Sequence, residues 1–566
     1  MLTYGRIKPH FPKDQWVLGK VLEHQARVRA DKPFLQWGGN KAQTFAQVNR
    51  TVNRLAHGFA RLGVGRDDKV VIFSRNSLDY IHSWFALNKL GAVQAPINTA
   101  YKGGFLEHQT NLSKARVMIV DRELVDSVVA SEKNLPHVER VILWSARGEK
   151  PGPAPKFKRI KTMDFRDVAS RKSDNPNIEV APQEIAGIIF TSGTTGPSKG
   201  VLMPQAHNYF FSEQCAHLVK LTDKDTYMSG FPFFHANAQL LTIYPCLIVG
   251  ARCVLYEIFS PSEFVNRLYE SKATVTNFLG VAMTFVHEQP PTPRDKGHNL
   301  RCVFSAPTAF KILPDFKKRF GVEHFVECFG MTEIAMPILT PLNRKRPDGA
   351  CGVLLSDWYE ARIVDPDTDE DVPDGEIGEF IVRHKQPWTL NAGYFGMPEK
   401  TAEAYRNLWF HTGDGMRRDK EGWYYYIDRI KDSLRRRGEN ISSYEVEAPI
   451  LAHPAVDDCA VIAVPADEEA GEDEVKACVV LKKGAKLTFE ELMDWCDARM
   501  PYFVVPRYVE FCAALPKTPT EKVQKAKLRD SGINARTWDR VAAGYKLGEE
   551  IKRARRRARA KRTAKR

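Results

Sequence analysis

The residues best suited to chemistry form a ten-residue segment, Thr191-Ser-Gly-Thr-Thr-Gly-Pro-Ser-Lys-Gly200, which is rich in glycine and hydroxyl groups. Glycine lets backbone N–H groups approach phosphate oxygens, and hydroxyl groups donate further hydrogen bonds. Lys199 adds a mobile positive charge. The segment therefore predicts a polyphosphate-binding loop, whose candidate ligands are Thr191, Ser192, Gly193, Thr194, Thr195, Gly196 and Lys199.

A flexible linker would have a similar composition, but the neighbouring sequence argues against one. The apolar run 185–190 indicates a buried strand that leads directly into the segment, and residues 201–203 are apolar again. The spacing also differs from the GxxxxGK[ST] loop of P-loop NTPases. We therefore expect a phosphate loop of another class.

The elements around this loop alternate between strand and helix. Residues 69–73 read as a buried strand, residues 77–90 have helical apolar spacing, and residues 91–95 read as a strand again. Further strands are predicted at 115–120 and 140–144, and the polar stretch 148–182 indicates surface connection. Alternation of this kind favours a parallel, layered α/β sheet.

The last part of the chain has a different pattern and predicts a second domain. Strands are expected at 457–464, 474–481 and 507–511, with a helix at 488–499 that begins at Thr488 as N-cap. We predict an N-terminal domain over 1–428, a hinge over 429–431, a small α+β domain over 432–545 and a basic tail over 546–566, disordered or helical.

Composition narrows the class of protein. The hydrophobic fraction is 43% and the charged fraction 27%, as in ordinary globular chains, and no apolar run is long enough to span a bilayer. Ten of the +14 charges come from residues 551–566, which leaves +4 for residues 1–550. Such a tail could attract an anionic surface or nucleic acid, or be merely solvated. Ten scattered cysteines without a CxxC pair favour a cytoplasmic chain with neither disulfides nor zinc site.

The loop from Thr191 to Gly200 closely resembles the phosphate-loop signature of the adenylate-forming superfamily, which contains acyl-CoA synthetases, adenylation domains and luciferases. Four other segments resemble family motifs in the same order: 329–333, 409–414, 428–432 and 515–525. The resemblance covers roughly residues 20–530. It implies a large α/β domain followed by a small mobile α+β domain.

The resemblance also implies roles for individual residues. Phe329, in place of the usual Tyr, would stack on adenine with Gly330 and Met331 beside it, Thr332 would contact the α-phosphate, and Glu333 would hold Mg²⁺. Asp414 would bind the ribose hydroxyls and Arg429 the ribose or phosphate. The loop at Ser305, Ala306 and Pro307 would lie beside adenine.

Further positions complete the implied site. Lys522 would be the catalytic lysine, although Glu521 precedes it where the family generally has Gly, and Lys431 would be the hinge pivot. Gly438, Glu439 and Asn440 would face CoA. The implied acyl pocket contains His235, Asn277, Phe278, Gly280 and Ile334, and we also group His235 with the catalytic residues, though a histidine between aromatics is equally typical of a core.

We therefore expect an ATP-dependent acyl-CoA synthetase that uses ATP, Mg²⁺ and CoA and forms an acyl-adenylate. The alternatives are an adenylation enzyme that loads a carrier protein, a luciferase-like oxidising enzyme, and a nucleotide-responsive binding protein. The partners expected are a carboxylic acid and CoA, without a stable nucleic-acid partner. The apolar pocket segments suit a medium-chain, alicyclic or aromatic acid, whereas residues 437–443 resemble the crotonobetaine/carnitine-CoA ligase branch, whose substrate is cationic.

Overall fold

The computed structural model describes residues 2–146, 149, 152, 155–191, 198–279, 282–306, 308–310, 312–429, 434–436, 439–441, 443–467, 472–517 and 523–548. The chain divides into two compact units. The first consists of Met1–Thr99, Gln109–Phe190 and Lys199–Ile430, and the second of Ala100–His108, Thr191–Ser198 and Lys431–Arg566. The predicted boundaries at 428, 431 and 545 stay a prediction.

The helices are α1 (Leu18–Val28), α2 (Phe45–Arg61), α3 (Leu78–Lys89), α4 (Gly104–Ser113), α5 (Val125–Ser131), α6 (Gln205–Leu218), α7 (Ala236–Ala238), α8 (Tyr244–Val249), α9 (Phe264–Ser271), α10 (Ala282–His287), α11 (Leu313–Phe320), α12 (Pro398–Ala404), α13 (Ser443–Leu451), α14 (Phe489–Arg499) and α15 (Lys525–Asp530). A π-helical turn, Gln239–Ile243, joins α7 to α8. Within the described ranges, no helix combines the length and apolar character needed to cross a membrane.

The strands up to residue 429 are β1 (Pro33–Trp37), β2 (Gln43–Thr44), β3 (Lys69–Phe73), β4 (Val93–Pro96), β5 (Val117–Asp121), β6 (Arg140–Trp144), β7 (Lys161–Asp164), β8 (Ile185–Thr191), β9 (Lys199–Pro204), β10 (Thr226–Ser229), β11 (Arg252–Leu255), β12 (Val275–Leu279), β13 (Cys302–Ala306), β14 (His324–Val326), β15 (Cys328–Met331), β16 (Ala335–Leu339), β17 (Gly352–Leu354), β18 (Tyr359–Val364), β19 (Gly378–His384), β20 (Phe410–Arg418) and β21 (Trp423–Arg429). The later strands are β22 (Leu434–Arg436), β23 (Glu439–Ile441), β24 (Val456–Asp467), β25 (Glu472–Leu481), β26 (Tyr508–Cys512) and β27 (Trp538–Asp539).

Three seven-stranded sheets build the first unit. One has the order β7-β6-β5-β3-β4-β8-β9 and another the order β14-β13-β12-β10-β11-β1-β2. Their registered pairs are parallel except for β1 with β2. Strands such as β3 and β5 are almost wholly buried, which explains why they read as continuous apolar runs. The third sheet, β15-β16-β17-β21-β20-β19-β18, is antiparallel.

The second unit contains a four-stranded sheet in the order β24-β25-β26-β27 and a two-stranded sheet, β22-β23. The pair β25–β26 is parallel, while β24–β25 and β26–β27 are antiparallel. Thr488 caps α14 as expected: its hydroxyl accepts the Glu491 N–H, and the Glu491 side chain accepts the Thr488 N–H. Val461, Val479 and Met493 lie in the core of this unit.

The helix expected at 77–90 is α3, and its beginning has a clear local cause. Ser77 is extended, and its hydroxyl accepts the Tyr80 N–H, which satisfies one of the N–H groups left over at a helix start. The connection expected at 148–182 is wrong in part, because Lys161–Asp164 forms the edge strand β7 beside β6. This strand is exposed or half-buried throughout, so it lacks an apolar pattern.

Candidate active site

The predicted phosphate loop lies between β8 and β9. Thr191 ends β8 and Lys199 begins β9, whereas Ser192, Gly193, Thr194, Thr195 and Gly196 lie outside the described residues. Gly200 is required by close packing, since a Cβ there would come within 2.7 Å of Ile188 Cγ2. The strands therefore position both ends of the loop.

A segment that sequence reasoning missed, residues 391–395, runs beside β9. The Leu202 N–H donates to the Gly393 carbonyl at 2.9 Å, and the Phe395 N–H donates to the Gly200 carbonyl at 2.8 Å. Tyr394 forms an isolated bridge with Val201. The sequence feature that could have indicated this segment is the run Asn391-Ala-Gly-Tyr-Phe-Gly396, because its two glycines are unusual inside a regular strand or helix.

Tyr394 connects two of the predicted charged ligands, Lys199 and Glu333. Its hydroxyl donates to Glu333 Oε1 at 3.2 Å, and the Lys199 ammonium lies 4.3 Å from the centre of its ring. Glu333 is only 3% exposed. A lysine and a buried carboxylate thus lie against opposite parts of one tyrosine.

The turn that carries Thr332 and Glu333 is held from several sides. Asn391 donates both its N–H and its side-chain amide to the Glu333 carbonyl, at 3.0 and 2.8 Å. The His207 ring lies 2.9 Å from the Thr332 carbonyl and 3.0 Å from the Thr389 carbonyl. Burial lowers the pKa of His207, although both carbonyls favour the protonated ring.

Gly330 has a tight steric requirement within this turn. A Cβ at Gly330 would lie 2.1 Å from the Ala335 carbonyl oxygen, because β15 and β16 pair Met331 with Ala335 across a short connection. Any side chain at 330 would push the two strands apart. The glycine of the aromatic-Gly-x-Thr-Glu motif is therefore explained by packing.

Phe329, the predicted adenine-stacking residue, belongs to a row of aromatic rings. It packs edge-on against Phe380 at 5.3 Å and lies nearly parallel to Tyr426 at 6.1 Å. Tyr426 is 43% exposed, whereas Phe329 is 9% exposed. Phe329 is thus buried inside the row, and Tyr426 is its accessible member.

The predicted adenine loop begins at the end of β13. Ser305 is buried and Ala306 is half-buried, while Pro307 lies outside the described residues. Thr308 donates its hydroxyl to the Ser305 carbonyl at 3.3 Å and its N–H to Glu327 Oε2. Arg346 pairs with the same carboxylate at 2.6 Å. Burial raises the pKa of Glu327 despite this arginine, and its carboxyl group fixes the backbone of Thr308.

Asp414, the predicted ribose ligand, is buried at 3% exposure in β20 and pairs in register with Arg429 of β21. The Arg429 side chain lies outside the described part of the chain. Within β20, just before Asp414, the backbone turns out of register with β19. This turn contains Gly413, whose φ of +71° favours glycine. The antiparallel sheet defines both of its ends, because His411 pairs with Ile381 and Gly415 with Glu379.

Glu379, which sequence reasoning missed, holds that turn. Glu379 Oε1 accepts the Gly413 N–H at 2.8 Å, while Oε2 lies 3.0 Å from His411 Nδ1 and 2.9 Å from Arg406 Nη2. Burial opposes the charge, but the bonds from His411 and Gly413 and the charge of Arg406 outweigh it and hold the pKa of Glu379 below its ordinary 4.5. A buried anion therefore fixes the backbone next to Asp414.

The predicted acyl-pocket residues do not all face one side. The Asn277 amide donates to Asn237 Oδ1 at 2.8 Å, and Asn237 belongs to α7, which begins directly after His235. Phe278, the next residue of β12, packs instead against Phe264 and other aromatic rings and is fully buried. The structure therefore brings Asn277 near the His235 segment and directs Phe278 to the opposite face of the sheet.

Three pocket candidates remain. Ile334 is fully buried within the main core of the first unit, and Gly280 lies outside the described residues. His235 is half-buried, with its ring 4.5 Å from Phe234. Its loop is fixed because Asn76 accepts the Phe233 N–H and donates to the Phe231 carbonyl, both at 2.8 Å.

The small unit is described only in part at its predicted functional positions. Lys431, Gly438 and Lys522 lie outside the described residues, and Glu439 and Asn440 are described as backbone of β23. Within this unit Glu445 accepts the Ser198 N–H at 2.7 Å, and burial raises its pKa to about 7. A perturbed carboxyl next to a predicted phosphate loop marks a functional candidate that its sequence position did not reveal.

Sequence comparison agrees with this geometry. The model of the AMP-binding enzyme family matches residues 22–395, and that of the AMP-binding enzyme C-terminal domain matches residues 445–522. The chain belongs to the AMP-binding enzyme family. It is 31% identical over 531 residues to a crotonobetaine/carnitine–CoA ligase of Salmonella agona, covering 90% of this chain and 98% of the relative.

Two solved structures extend the comparison. The structure of an anthranilate CoA ligase, AuaEII, in complex with anthranoyl-AMP is 26% identical in sequence and has a TM-score of 0.66. The match covers 92% of this chain and 98% of that protein. An o-succinylbenzoate CoA synthetase of Bacillus subtilis has a TM-score of 0.77, with coverage of 93% and 99%. At 22% identity the latter supports the fold alone.

These comparisons confirm several expectations for this AMP-binding enzyme. The resemblance to the adenylate-forming superfamily is confirmed, as is the α/β fold with a large N-terminal and a smaller C-terminal α+β domain. The assignment as an acyl-CoA synthetase, an acid–thiol ligase, is also confirmed. The roles of individual residues stay predictions.

Replacing Tyr394 by Phe tests the charged pair around its ring. The ring under Lys199 remains, but Glu333 loses a hydrogen bond, which for a charged group is worth about 1.5–3 kcal/mol. We expect kcat/KM for ATP to fall about tenfold or more in steady-state assays. Tyr425→Phe is the matched control, since it removes a phenol–carboxylate bond to Asp419 elsewhere in the same unit. Equal values for the two variants would contradict the assignment.

Replacing Glu379 by Gln should weaken the turn at Gly413 through loss of charge. Because the folded-state pKa of Glu379 is lowered, its contribution to stability is present above pH 4.5 and is lost as pH falls through the folded value. Urea unfolding at pH 7 should therefore show a loss of about 1.5–3 kcal/mol that shrinks below pH 4.5.

The control for this variant is Glu360→Gln, which removes a surface partner of Arg383 in the same sheet and should cost at most about 1 kcal/mol. The charged form of Glu379 is ruled out as the cause if the free energies of unfolding of Glu379→Gln and wild type differ by the same amount from pH 7 down to acid unfolding.

Proposed function

We propose that the chain converts a carboxylic acid and ATP to an acyl-adenylate and pyrophosphate, then passes the acyl group to the thiol of CoA with release of AMP. The observation that carries the proposal is the contact of Lys199 and buried Glu333 with the same Tyr394. Use of ATP and CoA also fits the family and its solved complexes. A cytoplasmic location stays a prediction.

In the first half-reaction the carboxylate attacks the α-phosphorus and pyrophosphate leaves. This activation is needed because a free carboxylate has no good leaving group of its own. Lys199 and the loop hydroxyls would receive the charge of the pyrophosphate, and Thr332 would contact the α-phosphate. Asp414 would accept hydrogen bonds from the ribose hydroxyls. Positioning and electrostatics supply most of the acceleration in phosphoryl chemistry of this kind.

Magnesium fits the donor set, since Glu333 offers a carboxylate oxygen and Mg²⁺ usually takes only one or two carboxylates together with substrate phosphate oxygens. Glu333 would hold the ion, which neutralises phosphate charge when bound. The protein contributes the orientation of Glu333, because the Tyr394 hydroxyl donates a hydrogen bond to its Oε1.

The second half-reaction needs access for a thiol to the acyl carbonyl. By resemblance, Lys431 would allow the backbone change between the half-reactions, and Gly438, Glu439 and Asn440 would contact CoA. In hinge motions of this kind only a few residues change their φ and ψ angles substantially. These roles fall on parts of the chain that the structure describes incompletely or not at all.

The acid we propose has an uncharged acyl group of medium size. The candidate pocket residues His235 and Asn277 provide an imidazole and an amide, and neither offers a carboxylate that would favour a quaternary ammonium. The buried Asn277 Oδ1 has no hydrogen-bond partner among the described residues, so a hydroxyl or amine donor on the acid would satisfy it.

The test is CoA-dependent AMP release with a panel of acids: octanoate, 3-hydroxyoctanoate, benzoate, anthranilate, crotonobetaine and carnitine. We expect the highest kcat/KM for an uncharged acid, and ATP–pyrophosphate exchange that requires the acid but not CoA. A preference for carnitine or crotonobetaine would overturn the proposed acid class. Lack of exchange with every acid would overturn the reaction.

Lys522→Ala should abolish most of the first half-reaction while sparing the second. A charge contact at about 4 Å is of order 4 kcal/mol at an effective dielectric near 20, which corresponds to about three decades in rate. Pyrophosphate exchange should fall by that factor, whereas CoA should still react with supplied acyl-AMP. Lys527→Ala, on the exposed part of α15, is the control. Loss of neither half-reaction would remove Lys522 from the mechanism.

A further inference from the structure

A second cluster of chemically competent side chains lies away from the nucleotide residues, around Glu213 of α6. The Glu213 side chain is fully buried, and its Oε1 lies 2.6 Å from His10 Nδ1 and 3.2 Å from His217 Nε2. Its Oε2 accepts from the Tyr209 hydroxyl at 2.6 Å and from the His10 N–H at 3.1 Å. One carboxylate oxygen is thus held in place, and the other faces two imidazoles.

The spacing along α6 explains why two of the three groups meet. Glu213 and His217 are four residues apart, which puts them on one face of a helix. His10 reaches the same face from the N-terminal segment, ahead of residue 22, where the family match begins. The imidazole nitrogens and carboxylate oxygen lie within 4.8 Å of one another.

We propose that His10, Glu213 and His217 form a binding site for a borderline-soft divalent cation, of which Zn²⁺ is the type, with water as the fourth ligand. Two histidines and one carboxylate with an open position are a donor set of catalytic zinc sites, whereas structural zinc sites usually have four protein ligands. The residue types therefore suit zinc, and the position in the fold decides the role. This assignment departs from the expectation from the cysteines that the chain has no zinc site, because that expectation considered thiolate ligands only.

The ligand atoms lie within about 1.5 Å of the separations that such an ion requires, since all of them are within 4.8 Å of one another. Bonds of about 2.0–2.1 Å in a tetrahedron put neighbouring ligand atoms roughly 3.4 Å apart. The separation of 3.2 Å between Glu213 and His217 is already close to this, whereas that of 2.6 Å to His10 must widen by less than about 1 Å. The His10 side chain is 42% exposed and His217 29%, so both can move and solvent can enter.

The surroundings of Glu213 support a ligand role. The Glu213 side chain is fully buried beneath the two imidazoles, so a carboxylate oxygen lies at the base of the cluster. The Tyr209 hydroxyl orients the carboxylate, and the Trp16 ring stacks on Tyr209 at 5.1 Å. Partners of this kind orient metal ligands and strengthen binding.

The role we assign to the ion is structural. It would fasten the N-terminal segment to α6, the same helix whose His207 contacts the Thr332 carbonyl. His207 and His217 are ten residues apart, or about 15 Å along a helix. The ion would therefore stabilise the fold without contacting the substrates.

The experiment uses full-length protein without a histidine tag, stripped with a chelator and kept in excess Mg²⁺ to occupy magnesium sites. Zn²⁺ is titrated in competition with a chromogenic chelator. We expect one tight site per chain, weakened at least about tenfold in His10→Ala and in His217→Ala. His24→Ala is the matched control, since His24 lies in the neighbouring helix α1 outside the cluster.

Thermal unfolding and Co²⁺ absorption separate an ion site from a set of protonated histidines. Zn²⁺ should raise the Tm of the wild type and of His24→Ala but not of His217→Ala, and kcat and KM should change little in all three. The visible band of tetrahedral Co²⁺ should be lost in His217→Ala. Zinc uptake that is absent, or equal in wild type and His217→Ala, would overturn the proposal.

Discussion

The first unit depends on one electrostatic constraint, namely that the carboxyl group of Glu333 is almost completely buried. A carboxylate removed from water is unfavourable unless hydrogen bonds or an opposite charge compensate. Here the Tyr394 hydroxyl donates to it, and Lys199 lies across the same ring. Strand β9, which begins at Lys199, the Thr-Glu turn and the 391–395 segment must therefore be arranged together, because each supplies one member of this contact.

The same principle recurs at two other points of the proposed nucleotide site. Glu379 holds the turn before Asp414, and Glu327 with Arg346 holds the loop after Ser305. In each case a buried carboxylate that does not itself touch the expected ligand positions fixes backbone that does. Backbone N–H and carbonyl groups have few alternatives once they are bonded inside an apolar core, so these positions are well defined.

Much of the fold could be predicted from local pattern. Continuous apolar runs indicated the buried strands β3, β5 and β6, and the hydroxyl of Thr488 indicated the start of α14. Strand β7 could not be found this way, because an edge strand that is half exposed has no apolar periodicity and depends on its partner β6. Phe278 shows the opposite error: its motif position indicated a pocket, yet alternation along β12 directs it into the core.

The sequence by itself determined the class of chemistry, because a phosphate loop with one lysine and the ordered motifs at 329–333 and 409–414 have a composition that few other functions require. Only the tertiary structure decided which residues support those motifs. Tyr394, Asn391 and Glu379 act through contacts across 34 to 195 positions of the chain, and no local pattern encodes such distances. The physical reason is that burial and hydrogen-bond partners are properties of the packed chain, whereas residue type and spacing are properties of the sequence.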